Sequence, residues 1–148
     1  MEPRTVQERK RDVLEKLRAE EDCWVASADA GGRTHLIPLS FYWDGVRLIV
    51  ATPAGSRTAR NLRRAGVAQV GLGPTRDVVI VSGSLEFLPE RAVDEGFAQA
   101  HARKAVFDPR RSEGEYVYIC LTPERVQAWR TEPELAGREV MREGRWLA

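Results

Sequence analysis

Leu48-Ile49-Val50-Ala51-Thr52, then Pro53-Ala54-Gly55-Ser56, then Arg57-Thr58-Ala59-Arg60-Asn61-Leu62 is the stretch on which the fold turns. The first five residues read as a strand and the next three as a turn. Ser56 reads as the N-cap of a short helix that reaches about Ala65 and is stopped by Gly66. At about 100° per residue, Arg57, Arg60 and Arg64 share one helix face with Asn61 beside them. Ala59 and Leu62 fall on the other face and are expected to pack on a sheet. Arg57 stands in the first turn, where the helix dipole favours acids, and a bound anion would offset that cost. A strand feeding a capped, arginine-bearing helix start is a phosphate-binding arrangement.

The charge of the surrounding window supports this reading. Gly45 to Arg76 holds six arginines (Arg47, Arg57, Arg60, Arg63, Arg64 and Arg76) and no Asp or Glu. The whole chain carries a formal +1, so about +6 sits in this window and about −5 in the remainder. A local excess of that kind attracts anions. The plain alternative is a solvated basic face, but surface helices usually mix signs. A nucleic-acid surface would want exposed aromatics among the basic residues, and the window has none.

Working outward, Thr5-Val6-Gln7-Glu8 fits a capping box, and the spacing predicts a first helix from Val6 to Glu20. Cys23 to Ala28 reads as a strand and Asp29-Ala30-Gly31-Gly32 as a hairpin turn. Arg33 to Trp43 reads as a second strand, bulged or at a sheet edge because of Pro38. Asp44-Gly45 turns into a third strand, Val46 to Thr52. Val67 to Leu72 and Val78 to Leu88 follow as strands. Glu90 to Ala105 is expected to be a helix, and Phe107 to Glu115 a polar loop. Tyr116 to Leu121 and Arg125 to Trp129 read as two strands parted by a turn at Thr122-Pro123-Glu124. Residues 131–148 look irregular. Six or seven strands joined mainly by hairpins, with about three flanking helices, indicate a mainly β (α+β) antiparallel barrel, and one domain is expected over residues 1–148, with residues 1–21 as its N-terminal helix.

Composition narrows the function classes. The chain has 148 residues, 43% hydrophobic and 30% charged, enough for a real core. No apolar run approaches the roughly 20 residues of a membrane span, and Met1 to Thr5 lacks the order of a signal peptide. A cytoplasmic protein without a membrane or nucleic-acid partner is the expectation. Cys23 and Cys120 sit in apolar, strand-like contexts and are expected to be buried free thiols. There is no C-x-x-C, H-E-x-x-H or G-x-S-x-G, so no metal site and no catalytic nucleophile is expected.

Pro38-Leu39-Ser40-Phe41-Tyr42-Trp43-Asp44-Gly45, with Leu48 to Thr52 and Ser56 to Leu62, resembles the pyridoxamine 5′-phosphate oxidase-like family. The resemblance runs from about Cys23 to Trp129. It implies a split β-barrel, a homodimer with cofactor sites at the subunit interface, and FMN or the deazaflavin F420 as cofactor. It places Ile49, Val50, Ala51 and Thr52 against the cofactor ring. Ser56, Arg57 and Arg60 fall at its phosphate, with Thr58 and Asn61 in the same stretch. Flavin-binding members often carry lysine where this chain has Thr58, which tilts the choice toward F420. Arg63, Arg64 or Arg76 would then meet the carboxylates of the F420 tail. The pattern of true pyridoxamine phosphate oxidases at the C-terminus is not found around Arg138 and Arg145.

A flavin-like cofactor carries the hydride chemistry itself, so no nucleophile–base pair is required. The expected function is a flavin- or deazaflavin-dependent oxidoreductase acting on a small conjugated substrate. The alternatives are a non-enzymatic flavin or haem carrier, with His35 or His101 as axial ligand, and a module whose basic helix docks an acidic partner. His35 reads as a half-exposed strand residue, with proton donation to substrate as the alternative should it lie at the pocket mouth, and His101 as a helix-surface residue. Phe41, Tyr42 and Trp43 read as packing aromatics, and Asp77 as a partner of Arg76.

Overall fold

The computed structural model describes residues 2–148. Its first element is set by a reciprocal cap. The Thr5 hydroxyl accepts from the Glu8 amide at 3.1 Å, and the Glu8 carboxylate accepts from the Thr5 amide at 3.0 Å. Two orphan donors are thereby satisfied, and α1 runs Val6–Ala19 with Val13 and Leu17 turned inward. There follow β1 (Asp22–Ala28), β2 (Thr34–Ser40), β3 (Tyr42–Trp43), β4 (Leu48–Pro53), α2 (Arg57–Ala65), β5 (Val67–Leu72) and β6 (Val78–Pro89). The chain ends with α3 (Glu95–Ala105), β7 (Tyr116–Trp129), α4 (Glu132–Leu135), β8 (Glu139–Arg142) and β9 (Arg145–Trp146).

All pairings are antiparallel, in the order β2-β1-β5-β6-β7-β4-β3, with β8 on β7 and β9 on β8. The two ends of that order, β2 and β3, are separated along the chain by Phe41 alone. The sheet therefore curls back on itself as a split barrel, as expected. β2 is an edge strand, a position in which proline is tolerated within a sheet. The barrel interior holds Val25, Val50, Val70, Val81, Ile119 and Val126. α1 packs against β3, β7 and β8, and α2 against β1, β4 and β5. A second, smaller cluster of Ile49, Ala51, Tyr118 and Cys120 lies on the other face of β4 and β7, under Phe97 of α3.

Four local expectations are corrected. The strand predicted over Arg33–Trp43 breaks at Phe41, whose amide donates to Glu21 O at 3.1 Å and lets the chain change sheet ends. Thr122-Pro123-Glu124 is no turn, because β7 continues through it. The register shifts at Ser82/Gly83, which pair with Arg125 and Pro123, so Glu124 is an extra residue. Gly83 makes this bulge possible, since a Cβ there would lie 1.9 Å from Thr122 O. Helix α3 starts at Glu95, capped by Asp94, after a separate 3-10 turn over Glu90–Ala92. Residues 131–148 contain α4, β8 and β9 rather than an irregular tail.

Candidate functional site

Helix α2 forms where the sequence places it. Ser56 Oγ accepts from the Ala59 amide at 3.1 Å, and Thr52 Oγ1 lies 3.1 Å from Ser56 Oγ. Gly66 ends the helix at φ 74°, a left-handed cap that glycine takes without strain. Ala59 and Leu62 are buried in the barrel core. Asn61 is buried as well, its Nδ2 donating to Ser27 Oγ at 3.1 Å, which ties α2 to β1.

The exposed face of α2 is where the charge lies. A cleft of about 360 Å³ opens between α2 and the β1–β2 hairpin, lined by Asp29, Arg33, Thr34, Arg57, Arg60 and Asn61. Three guanidinium groups thus surround one hollow at the start of a helix. Among the described residues, neither they nor Arg63 and Arg64 have a carboxylate within 4.0 Å, although twelve ion pairs form elsewhere. The single acid of the cleft, Asp29, accepts from the Gly31 and Arg33 amides at 2.9 Å each and so holds the hairpin. Guanidinium forks held around a helix N-terminus suit a phosphate or carboxylate. Sequence reasoning missed Arg33, Thr34 and Asp29. The hairpin was legible, but nothing local reveals that its tip faces α2.

The remaining residues of the expected site are dispersed. On β4, Val50 points into the barrel core, while Ile49 and Ala51 lie under Tyr118 and Phe97, and Thr52 is buried beside Ser56. Thr58 is 1% exposed, and its hydroxyl has no hydrogen-bond partner. Arg63 donates to Ala54 O at 2.9 Å, and Arg64 to Ala28 O at 2.8 Å. Arg47 is paired with Asp44 at 3.1 Å. Asp77 pairs with Lys16 at 2.8 Å and Arg130 at 3.1 Å rather than with its neighbour Arg76.

The acid–base groups are placed as follows. His35 is half-buried on β2, opposite Ser27 in the register. His101 is not on the helix surface. It is 1% exposed, edge-on to Tyr118 at 5.2 Å between ring centroids, and neither ring nitrogen has a partner. Burial pushes its pKa down to about 4, so it is neutral at pH 7. Cys23 and Cys120 are buried free thiols, and burial pushes them up to about 12 and about 11. Neither is a thiolate nucleophile at neutral pH. Phe41 and Trp43 are core residues, and Tyr42 packs against the cluster under α3. No helix among the described residues is long and apolar enough to cross a membrane.

Beside the cleft, Thr34, Leu36 and Pro38 alternate along one face of β2, with Trp24 paired to Pro38 and Ala26 to Leu36 on β1. Trp24 and Leu36 are 52% and 60% exposed, and Val67 of β5 is 55% exposed. An apolar strip therefore begins where the arginine cleft ends. Exposed apolar side chains grouped on one face in this way make it a candidate interaction surface.

No curated protein matches the chain. Solved structures with the same fold include an F420 reductase, 16% identical, with a TM-score of 0.64 over 76% of this chain and 93% of that one. Another is a pyridoxamine 5′-phosphate oxidase-related, FMN-binding protein from Nostoc punctiforme, 14% identical, with a TM-score of 0.53 over 86% and 83%. A third is a heme-binding protein from Mycobacterium smegmatis, 14% identical, with a TM-score of 0.67 over 89% of this chain and 57% of that one. At such identities the likeness is one of fold. The family model for pyridoxamine 5′-phosphate oxidase matches residues 10–130, the span that carries the barrel, α2 and the arginine cleft, and the chain belongs to that family in its broad, oxidase-like sense.

Proposed function

We propose that this chain is a flavin- or deazaflavin-dependent oxidoreductase, with F420 favoured over FMN, that acts on a small conjugated organic substrate. The observation that carries the reading is the cleft of Arg33, Arg57 and Arg60, whose guanidinium groups have no carboxylate partner among the described residues. The donor set fits the phosphate end of either cofactor. Arg57 and Arg60 supply charge from the helix start, Arg33 closes the cleft from the hairpin, and Asn61 offers an amide. Thr58 supplies no cation and is turned inward, consistent with F420 in place of FMN.

The side chains of β4 are enclosed, so Ile49 to Thr52 would meet a ring through their backbone edge and do not by themselves offer it a floor. The face of β2 that follows Thr34 does, because Leu36 and Pro38 offer an apolar floor adjoining the cleft. A ring there would be open to water on its far side. A second copy of this chain laid over Trp24, Leu36 and Val67 would exclude that water and complete the site, which makes the homodimer part of the proposal. Bound there, either cofactor supplies hydride transfer at its ring, while the protein supplies position and electrostatics. Half-buried His35 lies on the opposite face of β2 from Leu36, which leaves it a role in the strand rather than at the ring.

Side-by-side titration of the cofactor-free protein with F420 and FMN tests this reading, with Arg33→Ala, Arg57→Ala and Arg60→Ala alongside. Each substitution is expected to weaken binding by about 1.5–3 kcal/mol, the worth of a charge-assisted hydrogen bond. Unchanged affinity in all three would remove the site assignment. Tight binding without reduction or reoxidation by any donor would favour a carrier role.

A further inference from the structure

The turn before α2 has a guanidinium on each side. Arg60 donates to Gly55 O, and Arg63 donates to the adjacent carbonyl, Ala54 O, at 2.9 Å. The two side chains diverge. Arg60 lines the arginine cleft, and Arg63 lines a separate hollow of about 290 Å³. That hollow lies where β4 and β6 end and β7 begins, as the pairings Pro53↔Tyr116 and Pro89↔Val117 require. It is a mouth of the barrel, a place where small-molecule sites recur.

The lining has a definite chemistry. Phe87, Pro89 and Val117, on one face of the sheet, give apolar walls with one aromatic ring, and the Tyr116 ring turns to the other face beside Phe107. The charged groups are Arg63, Arg91 and Glu115. Arg91 and Glu115 neutralise each other at 3.3 Å. Arg63 has no carboxylate partner among the described residues, so the hollow keeps one uncompensated positive charge. Its guanidinium lies over the Phe87 ring, 5.3 Å from the centroid, and is fixed by the bond to Ala54 O. A guanidinium carries five N–H donors, and the bond to Ala54 O uses one of them.

We infer that this barrel mouth binds a planar aromatic molecule carrying a single carboxylate. The carboxylate bonds to Arg63 and the ring lies against Phe87, Pro89 and Val117, which share one face of the sheet. One uncompensated charge matches one anionic group, and a dianion would meet Glu115 at the rim. The Phe87 ring, with Arg63 over its face, favours a ring over an alkyl chain by edge contacts. The volume is at the small end of the roughly 300–1,000 Å³ of ligand pockets, which suits one or two fused rings. Because Arg63 is already held in place, little side-chain freedom is lost on binding. This hollow shares no lining residue with the arginine cleft, so the inference stands or falls apart from the cofactor reading.

The test is calorimetric titration of the full chain with 2-naphthoate, and with uncharged 2-naphthylmethanol and non-aromatic cyclohexanecarboxylate as comparisons. Wild type is expected to prefer 2-naphthoate to both. Arg63→Ala should weaken 2-naphthoate about ten- to a hundredfold and leave 2-naphthylmethanol unchanged. Phe87→Leu should narrow the gap between naphthoate and cyclohexanecarboxylate, and Arg57→Ala, which acts on the separate arginine cleft, should leave the affinity for 2-naphthoate unchanged. Failure of 2-naphthoate to bind, equal affinity in Arg63→Ala, or a loss in Arg57→Ala in its place would overturn the inference. Arg63 is exposed, and far-UV circular dichroism checks that the variant stays folded.

Discussion

Two arginine-rich regions of this molecule differ in one respect, the presence of acids. At the corner where the N-terminus, α1, α4 and the β5–β6 turn meet, Arg4, Lys16 and Arg130 each have a carboxylate partner. Glu134 accepts from Arg4 Nε at 3.0 Å, Arg4 Nη2 at 2.8 Å, and the Arg4 and Arg130 amides at 2.7 Å each. Asp12 takes Arg4 at 2.9 Å, and Asp77 takes Lys16 at 2.8 Å. On α2 and the facing hairpin, no arginine has a carboxylate within 4.0 Å among the described residues, and the nearby Asp29 is engaged by backbone amides. The first region spends its charge on holding four segments together. The second keeps its charge for something outside the chain. Arginine content alone does not distinguish them, and the partner inventory does.

Breaking the paired corner should give the largest effect. Glu134→Ala leaves Arg4 without its main partner in a site where the Glu134 side chain is 2% exposed and that of Arg4 11%. A stability loss of about 3–5 kcal/mol is expected in urea unfolding at pH 7. A loss under about 1 kcal/mol would mean that the corner is solvated and the contrast with α2 is overstated.

Acid separates the same regions. The hydrogen bonds from Arg4 pull Glu134 down to about 2. Its folded pKa is depressed, so its contribution is complete above about pH 4.5 and is lost as pH falls to about 2. His101 acts in a higher window. Its folded pKa of about 4 lies below the usual 6.5, so the unfolded chain binds the extra proton and stability falls from about pH 6.5 to about 4. Each window is worth about 3 kcal/mol. Unfolding at stepped pH should show both slopes. His101→Phe should flatten the upper one and Glu134→Ala the lower one, while Arg57→Ala alters neither. A wild-type curve that is level between pH 6.5 and 4 would contradict the burial of His101.

The unpaired region should respond in binding rather than in stability. Arg57→Ala and Arg60→Ala are each expected to cost about 1.5–3 kcal/mol of cofactor affinity. Their effect on ligand-free stability should stay within about 0.5 kcal/mol. The smallest effect carries the sharpest sign. With the ligand absent, Arg57→Ala should raise stability by a few tenths of a kcal/mol, because it removes a cation from the positive end of α2. A fall in the melting temperature would mean that Arg57 has a structural partner after all.

Much of this was legible in the chain because the signals are local. The Thr5–Glu8 cap, the Ser56 cap, the Gly66 stop and the edge position forced by Pro38 each depend on a few neighbouring residues, and all are present. The acid-free window was countable, and the structure keeps its α2 arginines unpaired by carboxylates. What failed was long-range. Thr122-Pro123-Glu124 reads as a turn, yet Gly83, about forty residues earlier, offers the space that turns it into a bulge. His101 reads as a surface residue until Tyr118 is brought against it. Arg33 joins Arg57 and Arg60 because Asn61 bonds to Ser27 and Arg64 to Ala28 O, drawing the hairpin strand to α2. The sequence by itself determined the start of α1, both ends of α2, the strand class and the sign of the charge on α2. Only the tertiary structure decided which cations face one hollow, because that depends on which strand pairs with which and on the side chains that cross between them.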